Sequence, residues 1–321
     1  MMTVNTNTYQ TDILGSDYQQ QTLTLPNDYD GKVVATLVRK KAVQATPKAV
    51  LYIHGFTDYF FQTEMAEQFT QHGYDFYALD LRKYGRSHLP HQTLFHVRDL
   101  REYDAEITQA LAIIGQEQHD QVLLAGHSTG GLITTLYAAH YPNHPLIKAL
   151  WANSPFYDFY KTPIEKKLVM PLLSKLGKHF PNGKCISGLN PWYVPSLHKS
   201  LNGEWQFNLD WKPKSMPFVQ LCLIHAIAEA QTEIHQGVRS TIPTLIMHSH
   251  QTTFPKKWGL DAQTSDVILD VKDMTDNAKK MQGDVQTLAV QNGLHDLVLS
   301  APPVRKQVYQ DLFAWLKQKI A

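Results

Sequence analysis

The chain has 321 residues, 43% hydrophobic and 18% charged, an ordinary composition for a globular protein with enough apolar material for a sizeable core. Its 30 basic and 29 acidic residues leave a net charge of +1, which argues against the basic surface that a nucleic-acid partner requires. Two cysteines, Cys185 and Cys222, cannot make a disulfide framework. No charged start followed by an apolar block marks a signal peptide, and no apolar run reaches the ~18 residues of a membrane span, so a cytoplasmic protein with reduced thiols is expected.

Residues 1–31 are polar and irregular, with one strand near QQTLTL. KVVATLVRKKA (32–42) is β-branched and partly alternating, and AVLYIHG (49–55) is a short apolar run ending in glycine; both predict strands. A helical segment AEQFTQHG ends at Gly73, and YDFYALDLR (74–82) is the next strand. Over 97–116, Leu100, Tyr103, Ile107, Leu111 and Ile114 recur at helical spacing and predict one long amphipathic helix. QVLLAG is a strand, GLITTLYAAHYP a helix stopped by Pro142, and IKALWANSP a strand.

Alternating strands and helices build βαβ units, and so a mostly parallel sheet. The alternation breaks over 155–240, where SPFYDFYKTP, GLNPWYVPS and WKPKSMP are rich in proline and aromatics. The segment FVQLCLIHAIAEAQTEI within it is helical, docked on the core rather than on a lipid surface. The alternation resumes with strand TLIMHS (244–249), helix VKDMTDNAKKM, strand VQTLAVQ (285–291) and a last helix. The expected organisation is therefore a core of residues 1–154 and 241–321 with an inserted cap at 155–240.

The motif GHSTG (126–130) sits where a strand meets a helix, the context of a nucleophile elbow, G-x-S-x-G. A chain of this length shows the pattern by chance about 0.1 times. Glycines at 126 and 130 suit a turn that crowds the backbone, and the bend would hold the Ser128 hydroxyl above the sheet edge. The bland alternative is a structural Gly/Ser turn.

A serine hydroxyl is a poor nucleophile without a base, and the base needs a carboxylate to orient it; in this architecture the chain order is Ser, then Asp or Glu, then His. His295, in the short loop after the last predicted strand, opens on the same sheet edge as Ser128. The alternative for it is a capping or structural role. His248 and His250 resemble half a metal site, but no third ligand is spaced to complete it, so no metal is expected.

The acid is less sharply marked, because no aspartate directly follows strand 244–249. Asp266 precedes an apolar run, VIL, that could anchor an exposed carboxylate. Asp270 fits a helix cap, Asp158 follows the preceding strand, and Asp261 and Asp273 lie nearby. Asp266 is the preferred candidate. In LYIHGFTDYFFQ (51–62) the strand ends at His54-Gly55, so the backbone amide of Phe56 can point into the site and, with that of Thr129, form a two-donor oxyanion hole.

HGFTD, LDLRKYGRS (79–87), GHSTGG (126–131) and GLHDLVLS (293–300) together resemble the α/β-hydrolase superfamily, closest to its lysophospholipase, monoglyceride lipase and serine aminopeptidase-like branch. The likeness covers most of 30–154 and 241–320 and fades over 155–240, where that branch carries a variable cap. It implies an α/β-hydrolase fold, Ser128 as nucleophile, His295 as base and the amides of Phe56 and Thr129 as oxyanion donors, with no cofactor. DVILDV resembles the branch's acid-bearing segment and supports Asp266, although residues 250–265 intervene where the branch has only a few. Asp80 and Arg82 are expected to shape the edge of the site.

Of the insert's Phe156, Tyr157, Phe159, Tyr160, Trp192, Tyr193, Trp205, Trp211 and Phe218, most are expected in the cap's own core and the rest in an apolar acyl pocket. The implied activity is hydrolysis of a small-molecule carboxylic ester. A peptidase would need acidic cap residues for an α-ammonium, with Glu204, Glu229 and Glu233 available; a hydrolase-like fold kept only for binding would lack a catalytic residue.

Overall fold

The computed structural model describes residues 8–320. In chain order, a hairpin of β1 (Gln10–Asp12) and β2 (Gly15–Thr24) leads to β3 (Val34–Lys40), β4 (Lys48–Ile53), α1 (Thr63–Gln71), β5 (Asp75–Asp80) and α2 (Asp104–Gln116). Then come β6 (Gln121–His127), α3 (Thr129–His140) and β7 (Ile147–Asn153). Five elements follow before the next sheet strand: α4 (Met170–His179), β8 (Lys184–Ile186), α5 (Tyr193–Leu197), β9 (Phe218–Gln220) and α6 (Leu221–Gln236). The chain closes with β10 (Thr244–Ser249), α7 (Val271–Ala278), β11 (Val285–Val290) and α8 (Pro302–Lys319).

Among the described residues, nine strands form one sheet in the order β1-β2-β3-β5-β4-β6-β7-β10-β11. The pairs from β5 through β11 are parallel, while β1, β2 and β3 are joined antiparallel to their neighbours. The strand pleat sends alternate residues to two cores. Leu51 and Ile53 of β4 pack with α2 and α3, whereas Val50 and Tyr52 pack with α1 and α8. That two-sided burial explains why the central strands read as near-continuous apolar runs.

The predicted 97–116 helix starts later than its periodicity suggests. Leu100–Tyr103 form a tighter 3-10 turn, because Asp99 caps it by accepting from the Arg101 amide and Glu102 reaches back to the cap backbone. The N-terminal hairpin strand β1 was not expected; Arg86 fastens it by ion-pairing with Asp12 at 2.7 Å and with Asp80 of β5 at 2.9 Å. Asp80 also accepts from the Phe60 amide, and Arg82 pairs with the buried Glu106 at 2.6 Å, so both residues brace the loops beside the sheet edge.

α4 was not expected either. It follows a wide π-type turn at Glu165–Val169 and contains Pro171, which has no amide for the usual backbone bond. Its packed face uses Met170, Ser174 and Gly177 against α6, while Leu172 and Leu176 are exposed, so the polarity pattern of an amphipathic helix is partly inverted. No helix among the described residues is long and apolar enough to cross a membrane.

Candidate active site

Ser128 occupies the junction between β6 and α3 with φ 54° and ψ −117°, a strained conformation for a residue with a side chain. Three backbone bonds hold it there: its amide donates to Asn153 O of β7, and its carbonyl accepts from the amides of Leu132 and Phe156. The flanking glycines are steric necessities. A Cβ on Gly126 would lie 2.3 Å from Gly130 O, and one on Gly130 would lie 2.3 Å from Ile53 O of β4. The helix can therefore start this close to the sheet only with glycine at both positions.

The structure brings together the three residues singled out in the sequence. His295, in the loop after β11, has Nε2 3.0 Å from Ser128 Oγ and Nδ1 2.8 Å from Asp266 Oδ2. All three residues are buried. Asp266 Oδ1 accepts from the amides of Ile268 and Leu269, each at 2.8 Å, so the apolar run that follows it orients the carboxylate. The long interval after β10 closes on itself: the Asp266 amide donates to Gln251 O and the Thr253 amide to Asp266 O, returning Asp266 to the carboxyl end of the strand.

The other acids are engaged elsewhere. Asp270 caps α7 through the Lys272 amide, Asp158 and Asp273 both pair with Lys166, and Asp261 is exposed. His248 Nδ1 bonds Ser249 O and His250 Nδ1 accepts from the Asn292 amide.

The loop after β4 lies against the serine. A Cβ on Gly55 would be 3.1 Å from Ser128 Cβ. His54 fixes this loop at both ring nitrogens, with Nε2 accepting from the Leu81 amide at 3.1 Å and Nδ1 donating to Gly55 O at 2.8 Å. Burial lowers the pKa of His54, which suits this neutral tautomer. Because a trans peptide points its N–H opposite to its C=O, anchoring Gly55 O also fixes the direction of the Phe56 N–H. Thr129, the first residue of α3, presents its amide at the helix N-terminus.

Ser128 and His295 line a cavity of about 550 Å³. Five of the nine aromatic residues singled out over 155–240 line it too: Phe156, Phe159, Tyr160, Tyr193 and Phe218. The balance thus favours the pocket more than expected. Of the others, Tyr157 is buried with its hydroxyl on Thr135, and Trp192, Trp205 and Trp211 pack on the core. Glu204 pairs with Arg305, Glu233 pairs with Arg101 and His140, and neither these nor Glu229 reaches the cavity.

Sequence reasoning missed a buried polar layer beside the site. Asp296 accepts from Asn153 Nδ2 at 2.7 Å and from Gln62 Nε2 at 3.2 Å, and Asp58 pairs with Lys212 at 2.9 Å. The aspartates in LHDL and GFTD were the visible signal, but only the fold shows that they are buried together.

Burial is also the main force on His127, whose pKa falls to about 4 from 6.5. The folded protein keeps this imidazole neutral, whereas the unfolded chain takes up a proton below about pH 6.5. The stability that follows from the depressed pKa is therefore present in full above that pH and is lost as pH falls toward 4. A His127→Gln variant is expected to lose about 3 kcal/mol less stability than the parent between pH 7 and pH 4. Urea unfolding at the two pH values checks this; equal losses in the two proteins would refute it.

The family model described as serine aminopeptidase, S33, matches residues 44–254. A probable lysophospholipase L2 of Haemophilus influenzae is 30% identical over 167 residues, covering 48% of this chain and 50% of that one. The AB hydrolase superfamily protein YisY of Bacillus subtilis is 25% identical over 165 residues, covering 46% and 59%. The chain thus spans about half the length of the curated relatives it matches. A soluble variant of monoglyceride lipase from Saccharomyces cerevisiae superposes with a TM-score of 0.68 at 18% identity, covering 100% of this chain and 97% of that one. Paleococcus ferrophilus monoacylglycerol lipase gives 0.66 at 18%, covering 87% and 98%. The fold is thereby that of the α/β-hydrolases, and with the family model spanning well over half of its length, the chain belongs to the serine aminopeptidase S33 family.

Proposed function

We propose that the protein is a serine hydrolase that cleaves carboxylic esters through an acyl-enzyme on Ser128. The observation that carries this reading is the continuous relay from Ser128 Oγ through His295 to Asp266, opening on a cavity walled by aromatic side chains. His295 Nε2 takes the Ser128 proton as Oγ attacks the ester carbonyl carbon. The amides of Phe56 and Thr129 stabilise the tetrahedral oxyanion. The C–O bond to the alcohol breaks, and the leaving oxygen takes the proton from His295. Water, deprotonated by the same imidazole, then attacks the acyl-enzyme and releases the carboxylic acid and free Ser128. Asp266 holds His295 with its proton on Nδ1 and stabilises the imidazolium as it forms.

The substrate in this reading is a small ester with an apolar acyl group, of the lysophospholipid or monoacylglycerol type or smaller. Residues 155–240 act as a cap that supplies the aromatic wall, and 1–154 with 241–321 form the catalytic core. Cys185 and Cys222 are unpaired, in keeping with a cytoplasmic location. The peptidase alternative has less support, because the glutamates it needs are turned away from the cavity.

A fluorophosphonate probe followed by peptide mapping, with p-nitrophenyl esters of increasing acyl length set against aminoacyl-nitroanilides, tests the proposal. Expected are labelling at Ser128 and a kcat/KM for esters that rises with chain length until the cavity is filled. Faster nitroanilide cleavage would favour a peptidase, and neither labelling nor turnover would favour a binding protein.

A further inference from the structure

One charged side chain of the insert is buried beside the reacting atoms and has no part in the mechanism above. Lys212 is 2% exposed and lines the same cavity as Ser128 and His295. Its Nζ lies 2.9 Å from Asp58 Oδ1, with Asp58 itself 1% exposed. The rings of Phe61, Tyr193 and Phe207 surround the ammonium at 5.7, 5.5 and 5.9 Å. Asp58 belongs to the loop that carries Phe56. Between them Thr57 has φ 52°, a left-handed conformation that a β-branched residue adopts only when its surroundings impose it. Asp58 Oδ1 also accepts from the Tyr59 amide at 2.9 Å, so the carboxylate ties the turn together.

The insert clasps this loop at further points. The Asn208 amide donates to Tyr59 Oη at 2.7 Å, Trp211 meets the Tyr59 ring edge to face at 5.1 Å, and the rings of Phe61 and Phe207 lie 4.8 Å apart. Residues 207–212 are therefore fitted to 58–61. A buried ion pair adds little net stability, since desolvation cancels much of the attraction, and its physical effect is to enforce one arrangement. Around Asp58, His127 and Asp296 bring their polar atoms within 4.8 Å of each other and of the Asp58 carboxylate, and Lys212 supplies a positive charge there.

We propose that Lys212 is a positioning residue: by pairing with Asp58 inside the cavity wall it holds the Phe56 amide on Ser128, so that the oxyanion hole is complete only when the insert is docked. The inference rests on the esterase reading of the site. It makes the insert part of the catalytic geometry as well as a wall for substrate.

Lys212→Met removes the charge and keeps the stem, and the double variant Lys212→Met/Asp58→Asn removes both charges. Both are compared with the parent for kcat and KM on p-nitrophenyl butyrate, with active sites titrated by fluorophosphonate, and for affinity toward an aryl trifluoromethyl ketone, whose adduct occupies the oxyanion hole. In Lys212→Met, kcat per titrated site is expected to fall about 30-fold, ketone affinity to fall in parallel, and KM to change less than about threefold. The double variant should match the single one, because both effects pass through one contact.

An unchanged kcat per site and ketone affinity in Lys212→Met would overturn the proposal, as would a rise in KM alone, which would make Lys212 a substrate contact. If Lys212→Met fails to fold, the double variant leaves no unpaired buried charge and carries the same readouts; parental kcat in it is equally fatal. A parent protein that neither reacts with fluorophosphonate nor turns over ester would instead sink the esterase reading.

Discussion

Ser128→Ala is expected to lower kcat for a p-nitrophenyl ester by about 10⁵- to 10⁶-fold, with little change in KM and complete loss of fluorophosphonate labelling. The fold should tolerate the change. Every bond that shapes the elbow is made by the Ser128 backbone, to Asn153, Leu132 and Phe156, and alanine meets the same positive φ that serine already bears. The only side-chain bond lost is the one to His295 Nε2. Thermal unfolding should move by no more than about 2 °C, so that lost activity cannot be assigned to lost structure. Residual activity above about 1% of the parent would be inconsistent with an acyl-enzyme on Ser128.

The second large effect is at the acid. Asp266→Asn is expected to reduce kcat about 10⁴-fold while leaving the structure in place. Asparagine can still accept the Ile268 and Leu269 amides through its carbonyl oxygen, so the turn that presents residue 266 survives. Its NH₂ group then faces His295 Nδ1, which must accept rather than donate. The ring proton moves to Nε2, where it can no longer take a proton from Ser128 Oγ. The defect lies in the tautomer, so KM should stay within about threefold of the parent and unfolding should be little altered. If Asp266→Asn kept more than about a tenth of the parental kcat, another group would be orienting the imidazole.

Much of the arrangement that gathers Ser128, His295 and Asp266 was legible in local sequence. A serine between glycines at a strand–helix junction leaves few structural options, and the clashes that a Cβ would meet at Gly126 and Gly130 give the physical reason. His295 was legible from its place after the last sheet strand. Asp266 could be ranked first but not isolated, because what returns it to β10 is backbone pairing with Gln251 and Thr253, which leaves no mark on side-chain pattern.

The parallel run β5-β4-β6-β7-β10-β11 followed from the alternation of apolar runs and amphipathic segments. The edge strand β1 did not, and neither did two features outside the sheet. α4 packs through Met170, Ser174 and Gly177 while exposing Leu172 and Leu176, so periodicity misreads its buried face. Lys212 and Asp58 are more than 150 residues apart, and a lysine among prolines reads as a solvated loop until the fold shuts it in.

The closed excursion between Gln251 and Asp266 has a wider implication. Its two ends are stitched by main-chain bonds, so the carboxylate takes its position from β10 and not from the residues between. The entropy of closing such a loop grows only with the logarithm of its length, about 0.6 kcal/mol per doubling. At the exposed Trp258 and Leu260 of this stretch the chain can exchange residues at little cost. The protein can in that way vary this stretch of surface while the hydrogen-bonded chain from Ser128 through His295 to Asp266 stays fixed.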